Sequence, residues 1–117
     1  MNYIYLSSPY SHHDAEVREA RFVAACRAAA KLIQEGLVIY SPIAHSHPIE
    51  VHGMKQIESS AFWKRQDVPM LRHASELLVL RLPGWEDSAG IKWEVEMAND
   101  LYLPVSYMDP IQETQHE

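Results

Sequence analysis

Glu94 is the residue whose type and position in the sequence most favour chemistry. In a predicted helix it shares an apolar stripe with Ala98 and Leu101, which should face a sheet, whereas Glu96 lies nearly opposite. A carboxylate on an inward face is costly unless it is paired or used, and burial of this kind sets the pKa of catalytic carboxyl groups. The alternative is a partly exposed glutamate that complements the positive end of the helix dipole.

The same helix is predicted to begin at Ser88-Ala89-Gly90, directly after a loop over residues 83–87. Backbone N–H groups at a helix start, together with the positive end of the dipole, favour a site for a phosphate or a ribose hydroxyl. The alternative is that Asp87 or Ser88 merely caps the helix.

Two further residues, Asp67 and Tyr5, have side chains suited to proton transfer or to orienting a carboxylate. Asp67 lies on a predicted helix beside Lys64 and Arg65, where a surface ion pair is the default interpretation. Tyr5 lies in a predicted strand and is expected to be a core aromatic residue whose hydroxyl needs a partner if it is buried.

Histidines and tryptophans supply the remaining candidates. His45, His47 and His52 lie close enough in sequence to suggest a metal site. The pattern lacks a fixed carboxylate or cysteine partner, so we expect no metal and no cofactor, with these histidines at the pocket mouth or in solvent. Tryptophan in a small domain usually lies in the core or an interface. Trp85 is the exception that we expect to stack on a planar part of the ligand, because its loop should lie over the site.

The hydrophobic pattern predicts a scaffold of alternating strands and helices. The predicted strands are residues 2–7, 37–40, 77–82 and 104–108, and the predicted helices are residues 14–35, 58–73 and 88–101. Residues 41–57 show no clear period and are predicted to form a long loop. This alternation is typical of an α/β fold, here a small doubly wound (flavodoxin- or Rossmann-like) parallel sheet of four to five strands with helices on both faces. Its ligands should bind at the carboxyl ends of the strands.

Composition limits the classes of protein that the chain can belong to. Its 117 residues are 47% hydrophobic, which favours one domain over residues 1–108 with a polar tail over 109–117. A net charge of -6 argues against binding to a nucleic acid polymer or a membrane surface. No apolar run is long enough to span a bilayer. The single cysteine, Cys26, cannot form an internal disulfide, so we expect a cytoplasmic location.

Three segments together resemble the nucleoside 2-deoxyribosyltransferase superfamily, which includes the 2'-deoxynucleoside 5'-phosphate N-hydrolases. They are IYLSSPY at residues 4–10, Asp67 ahead of a buried strand, and the pattern Ser88-x-Gly90-x-x-x-Glu94 after it. Within the superfamily, the sequence LPGW at residues 82–85 is most similar to a bacterial and phage family of unknown function. The resemblance covers nearly the whole chain up to Met108.

The resemblance implies a role for each matched residue. Glu94 matches the nucleophile that attacks the anomeric carbon of the deoxyribose, and Tyr5 matches the tyrosine that orients it. Asp67 matches an aspartate placed to assist departure of the base. Ser88 stands where the N-hydrolases have a serine near the sugar-phosphate and the transferases more often have an aspartate. The predicted substrate contacts are Ser8, Pro9, Tyr10, His45, Trp85, Ser88 and Gly90.

These roles predict an enzyme that cleaves an N-glycosidic bond, either an N-hydrolase or a deoxyribosyltransferase. Its partner would be a small molecule: a nucleoside, a nucleotide or a nucleotide-derived metabolite. Ser88 favours phosphate or hydrolase chemistry over transfer between free nucleosides. The alternative is a catalytically silent nucleotide-binding sensor or partner subunit with the same fold. Because superfamily members are commonly oligomers, the resemblance also implies a homodimer or tetramer.

Overall fold

A computed structural model describes residues 2–54 and 60–112 of the protein. The strands are β1 (Ile4–Ser7), β2 (Ile39–Tyr40), β3 (Glu76–Leu80) and β4 (Val105–Met108). The helices are α1 (Ala15–Gln34), α2 (Pro42–Gly53), α3 (Ser60–Arg72) and α4 (Ala89–Asp100), with a short 3-10 helix at Trp85–Asp87. Among the described residues, no helix is long and apolar enough to cross a membrane.

The four strands form one parallel sheet in the order β2-β1-β3-β4. The first crossover, through α1, places β2 on one side of β1, whereas β3 pairs with β1 on the other side. The strand order therefore reverses between β1 and β3, which is where ligands bind in doubly wound sheets. The α/β fold class and the parallel sheet expected from the sequence are confirmed.

One face of the sheet is covered by α3 and α4. Tyr5 on β1 and Leu77 and Val79 on β3 are fully buried there, in a cluster with Leu71 of α3 and Ile91 of α4. Because side chains alternate along a strand, residues 5 and 7 of β1 point to this same face. The pattern therefore turns both residues toward α4.

The opposite face of the sheet is covered by α1. Leu6 and Leu80 are fully buried against Ala28 and Ala29, small residues that let the helix approach the sheet closely. The Asp14 side chain caps the start of α1 by accepting a hydrogen bond from the backbone N–H of Glu16. The predicted helix over residues 14–35 and the burial of both faces of β3 agree with these contacts.

The predicted loop over residues 41–57 is wrong for most of its length, because residues 42–53 form α2. The Ser41 hydroxyl accepts a hydrogen bond from Ala44 N–H and caps the helix, and Pro42 stands in its first turn, where a missing N–H costs nothing. The buried residues of α2 are Pro42, Ser46, His47 and Glu50. A helix that buries polar side chains has no apolar period to detect. Residues 55–57 of the predicted loop and residues 58 and 59 of the predicted helix lie outside the described residues.

The predicted tail begins beyond β4. Asp109 forms an ion pair with Arg81 at 2.8 Å, and Ile111 packs against the core on the α1 side. The last described residue is Gln112, so residues 113–117 of the predicted tail lie outside the described residues.

We expect Leu80→Ala to lower the free energy of unfolding by about 3 kcal/mol, because it removes a fully buried side chain at the contact between β3 and α1. Leu37→Ala is the control, since Leu37 is 41% exposed and should cost less than about 1 kcal/mol. Urea denaturation of both variants measures the difference. Equal losses would contradict the packing described here.

Candidate active site

Glu94 lies in α4 with its side chain turned toward β1, as the apolar stripe predicts. The residue is only 7% exposed. Its Oε2 accepts a hydrogen bond of 2.6 Å from the Tyr5 hydroxyl, and its Oε1 accepts one of 2.5 Å from the Ser7 hydroxyl. Hydrogen bonds to an ionised acceptor are shorter and stronger than neutral ones. The carboxylate is thus held on both oxygens. The alternative of a partly exposed glutamate that complements the helix dipole does not apply, because the residue is buried.

Burial controls the protonation of this carboxyl group. Removal from water raises the pKa of Glu94 to about 7, and the nearby charge of Asp67 also raises it, while the hydrogen bonds from Ser7 and Tyr5 act in the opposite direction. The pKa of Tyr5 is raised far above its ordinary value by burial and by the Glu94 charge. Tyr5 therefore stays protonated at neutral pH and donates to Glu94.

Asp67 projects from α3 toward the same centre. Burial raises its pKa to about 6, and its charge acts on both Tyr5 and Glu94. Its basic neighbours contact aromatic rings instead, with Lys64 Nζ lying 5.0 Å from the Trp93 ring centroid. The surface ion pair favoured by the sequence pattern is therefore the wrong interpretation. Two carboxyl groups with raised pKa values, one hydrogen-bonded and one less buried, are suited to nucleophilic and acid–base work.

Ser88 caps α4, because its hydroxyl oxygen accepts a hydrogen bond of 3.2 Å from the backbone N–H of Ile91. The interpretation as a helix cap is thus correct. The bond uses a lone pair of the Ser88 hydroxyl and leaves its proton free to be donated, so the cap does not prevent contact with a ligand. Gly90, in the first turn, is exposed.

The loops after β1 and β3 flank this helix start and are joined by Arg21. Its guanidinium donates to the backbone carbonyl of Ser11 at 3.0 Å and to that of Pro83 at 3.4 Å. Gly84 has a φ of +90° at this point, and a Cβ there would lie 2.8 Å from Arg21 Nη2. Glycine suits the turn both for its left-handed backbone and for the close approach of the guanidinium.

The other predicted contact residues lie in several environments. Ser8 and Pro9 are buried directly after β1, and the Ser8 hydroxyl has no hydrogen-bond partner among the described residues. His45 is exposed, with its ring centroid 6.3 Å from that of Tyr40. Trp85 packs against the Tyr5 side of the core, with its ring centroid 5.8 Å from that of Tyr107. Core packing therefore applies to Trp85 too, and stacking on a base stays a prediction.

Tyr10 belongs to a second polar network that the sequence analysis missed. Its hydroxyl lies 2.7 Å from Nδ1 of His47, and Nε2 of His47 lies 2.8 Å from a carboxylate oxygen of Glu19. Glu50 accepts hydrogen bonds from Trp63 Nε1 and, at 3.4 Å, from the Tyr10 hydroxyl. All of these residues except Trp63 line a cavity of about 540 Å³ between α1 and α2. No group of three or more potential metal ligands occurs in the described part of the chain.

Ser7 is a further residue whose role the sequence analysis missed. The available signal was its spacing from Tyr5, because residues two apart on a strand share a face. A hydroxyl at residue 7 therefore lies on the same side of β1 as the Tyr5 hydroxyl and can reach the same carboxylate.

Glu94→Gln should gain stability relative to wild type as the pH rises from 5 to 8. The folded-state pKa of Glu94, about 7, lies above its ordinary value of 4.5. Stability that Glu94 contributes is therefore complete below pH 4.5 and lost as the pH rises toward 7, whereas glutamine does not titrate. The expected relative gain is about 2 kcal/mol. Urea denaturation at the two pH values measures it, with the exposed Glu96→Gln as the control. A gain independent of pH would contradict the burial of an ionisable group.

Comparison with known proteins gives the fold and the family. The fold is similar to that of a solved 2-deoxyribosyltransferase from the psychrotolerant bacterium Bacillus psychrosaccharolyticus, with a TM-score of 0.61 and 19% identity, covering 97% of this chain and 76% of the other. The fold that the resemblance to the nucleoside 2-deoxyribosyltransferase superfamily implies is thereby confirmed. No curated protein matches the sequence. Residues 2–110 match the family described as a domain of unknown function, and the protein therefore belongs to that family, DUF1937.

Proposed function

We propose that the protein cleaves the N-glycosidic bond of a nucleoside, a nucleotide or a nucleotide-derived metabolite, with Glu94 as the nucleophile. The observation that carries the proposal is the buried Glu94 carboxylate, held on both oxygens at the point where the strand order reverses. The similarity of the fold to a 2-deoxyribosyltransferase supports a deoxyribosyl substrate.

In the first step, one oxygen of Glu94 attacks the anomeric carbon of the sugar. The bond between that carbon and the base nitrogen breaks, and its electron pair leaves with the base. Asp67 donates the proton that the departing nitrogen takes up, so the reactive form has Glu94 ionised and Asp67 protonated. Because the pKa of Asp67, about 6, lies below that of Glu94, about 7, this form is the less populated of the two singly protonated forms. In the second step, water or a second base attacks the same carbon, the bond between that carbon and Glu94 breaks, and its electron pair returns to the carboxylate. Asp67 takes back the proton that the attacking group loses. Two carboxyl groups divide these roles in the same way in retaining glycosidases.

The burial of Glu94 lowers the barrier of the proposed reaction. Positive charge develops on the sugar as the base leaves, and a fixed negative group nearby stabilises that charge. The stabilisation is larger away from water than in it, because the effective dielectric constant is lower. Tyr5 holds the carboxylate in place through its 2.6 Å hydrogen bond and needs no movement during the reaction.

Ser88 favours hydrolysis of a phosphorylated substrate over transfer between free nucleosides. Its hydroxyl proton is free at the start of α4, where backbone N–H groups and the helix dipole favour an anionic group. Water then serves as the acceptor in the second step, and the products are a free base and a sugar phosphate.

Glu94→Gln should reduce base release by at least about 10³-fold, because an amide cannot form the covalent intermediate. The measurement is chromatography of free bases after incubation with deoxy- and ribonucleosides and their 5'-monophosphates. Glu96→Gln, an exposed change on the same helix, is the control and should leave the rate unchanged. Activity of Glu94→Gln within a few fold of wild type would rule out the assignment. If wild type binds nucleotides and releases no base from any of them, the silent-sensor alternative replaces the enzyme.

Asp67→Asn should slow release of ordinary bases by about 10²-fold, because the leaving nitrogen then receives no proton. A 7-methylpurine nucleoside tests the role directly, since its positively charged base leaves without protonation and should be cleaved at nearly the wild-type rate. Asp100→Asn, an exposed change at the end of α4, is the matched control. Equal losses on both kinds of substrate would show that Asp67 does not act as the acid.

A further inference from the structure

Ser7 holds the second oxygen of the Glu94 carboxylate. It is the last residue of β1 and is fully buried, as is Tyr5. The Ser7 hydroxyl donates to Oε1 at 2.5 Å, while Tyr5 donates to Oε2 at 2.6 Å. Both donors come from one face of one strand, so their separation is set by the strand itself.

A carboxylate with one hydrogen-bonded oxygen is not fixed in orientation. The last torsion of a glutamate side chain is broad and has two nearly equivalent positions, so a single donor leaves the plane of the carboxylate free to turn. A donor on each oxygen removes this freedom, because rotation out of the observed plane breaks both bonds. Tyr5 alone therefore cannot set the direction in which a lone pair of Glu94 points.

Ser7 also favours the ionised form of Glu94. A hydroxyl that donates to a carboxylate stabilises its negative charge, whereas burial and the charge of Asp67 oppose it. The next residue provides a natural comparison, since Ser8 is equally polar and 7% exposed, and its hydroxyl has no hydrogen-bond partner among the described residues. Of the two adjacent serines, only Ser7 donates a hydrogen bond to Glu94.

We propose that Ser7 is a positioning residue that fixes the plane of the Glu94 carboxylate and keeps it ionised for attack on the sugar. Ser7 acts through Glu94 and is not itself the nucleophile. The inference rests on the proposed function for the attack, but the hold of Ser7 on Glu94 can be measured without any substrate.

The experiment is a pH titration of the Glu94 carboxyl carbon by NMR, in protein labelled with ¹³C at the glutamate side-chain carboxyl. The Glu94 signal is identified by its absence in Glu94→Gln. Ser7→Ala should raise the titration midpoint by about one pH unit, since a charge-assisted hydrogen bond is lost. Ser8→Ala should leave the midpoint where it is in wild type. Ser7→Cys, which retains a weak donor of similar size, should give an intermediate midpoint.

Kinetics then link the titration to the reaction. In Ser7→Ala the acidic limb of the pH profile of kcat/KM should shift to higher pH by the same amount as the titration midpoint. At high pH, kcat should fall about tenfold because the carboxylate plane is no longer fixed. A purely structural role for Ser7 would lower the amount of folded protein without moving the limb.

The outcomes separate the two proposals. An unchanged midpoint in folded Ser7→Ala overturns the role of Ser7, whatever the activity of wild type. If Ser7→Ala does not fold, the midpoint of Ser7→Cys decides the question in the same way. A raised midpoint in a protein whose wild type releases no base supports the hold of Ser7 on Glu94 and overturns only the proposed reaction.

Discussion

The site depends on one constraint. The Glu94 carboxylate is removed from water, so the protein must replace the hydrogen bonds that water would have given it. Strand β1 supplies the compensation through two hydroxyls on one face, those of Tyr5 and Ser7. The arrangement requires α4 to lie against β1 and β3 on that face, and the parallel crossovers place it there. Packing of Ile91 and Ala98, on either side of Glu94 in α4, fixes the height at which the carboxylate meets the strand. Fold and site therefore specify one another.

The two carboxyl groups of the site are best understood as a pair. Burial raises the pKa of both Asp67 and Glu94, and the charge on Asp67 further opposes ionisation of Glu94. The hydrogen bonds to Glu94 work against this effect and stabilise its charge. Because the charge on Asp67 opposes ionisation of Glu94, the two protons leave in separate steps, and the apparent pKa values of these steps belong to both groups together. The proposed roles require Glu94 to be charged while Asp67 carries a proton, and the hydrogen bonds from Tyr5 and Ser7 favour that form.

The sequence was sufficient to predict the strands, the stripe that turns Glu94 inward and the doubly wound fold. These features follow from apolar periodicity, which reflects burial of hydrocarbon. It was insufficient for α2, whose buried residues include Ser46, His47 and Glu50, since polar side chains leave no apolar signal. The environment of Asp67 was also misjudged, because neighbours in sequence do not show which aromatic ring a lysine such as Lys64 will contact. Directional hydrogen bonds between distant residues are the features that a single sequence does not display.

Directional bonds also explain how α2 supports the site without a large apolar face. Glu50 and His47 join α2 to Trp63 on α3, to Glu19 on α1 and to Tyr10 after β1. Apolar contacts tolerate small rotations of a helix, whereas a network of buried hydrogen bonds is satisfied in few orientations. The backbone from Ser7 to Tyr10 is therefore held at one end by Glu94 and at the other by α2. Because the segment from Ser7 to Tyr10 is held at both ends, the loop that follows β1 is already organised by contacts within the protein.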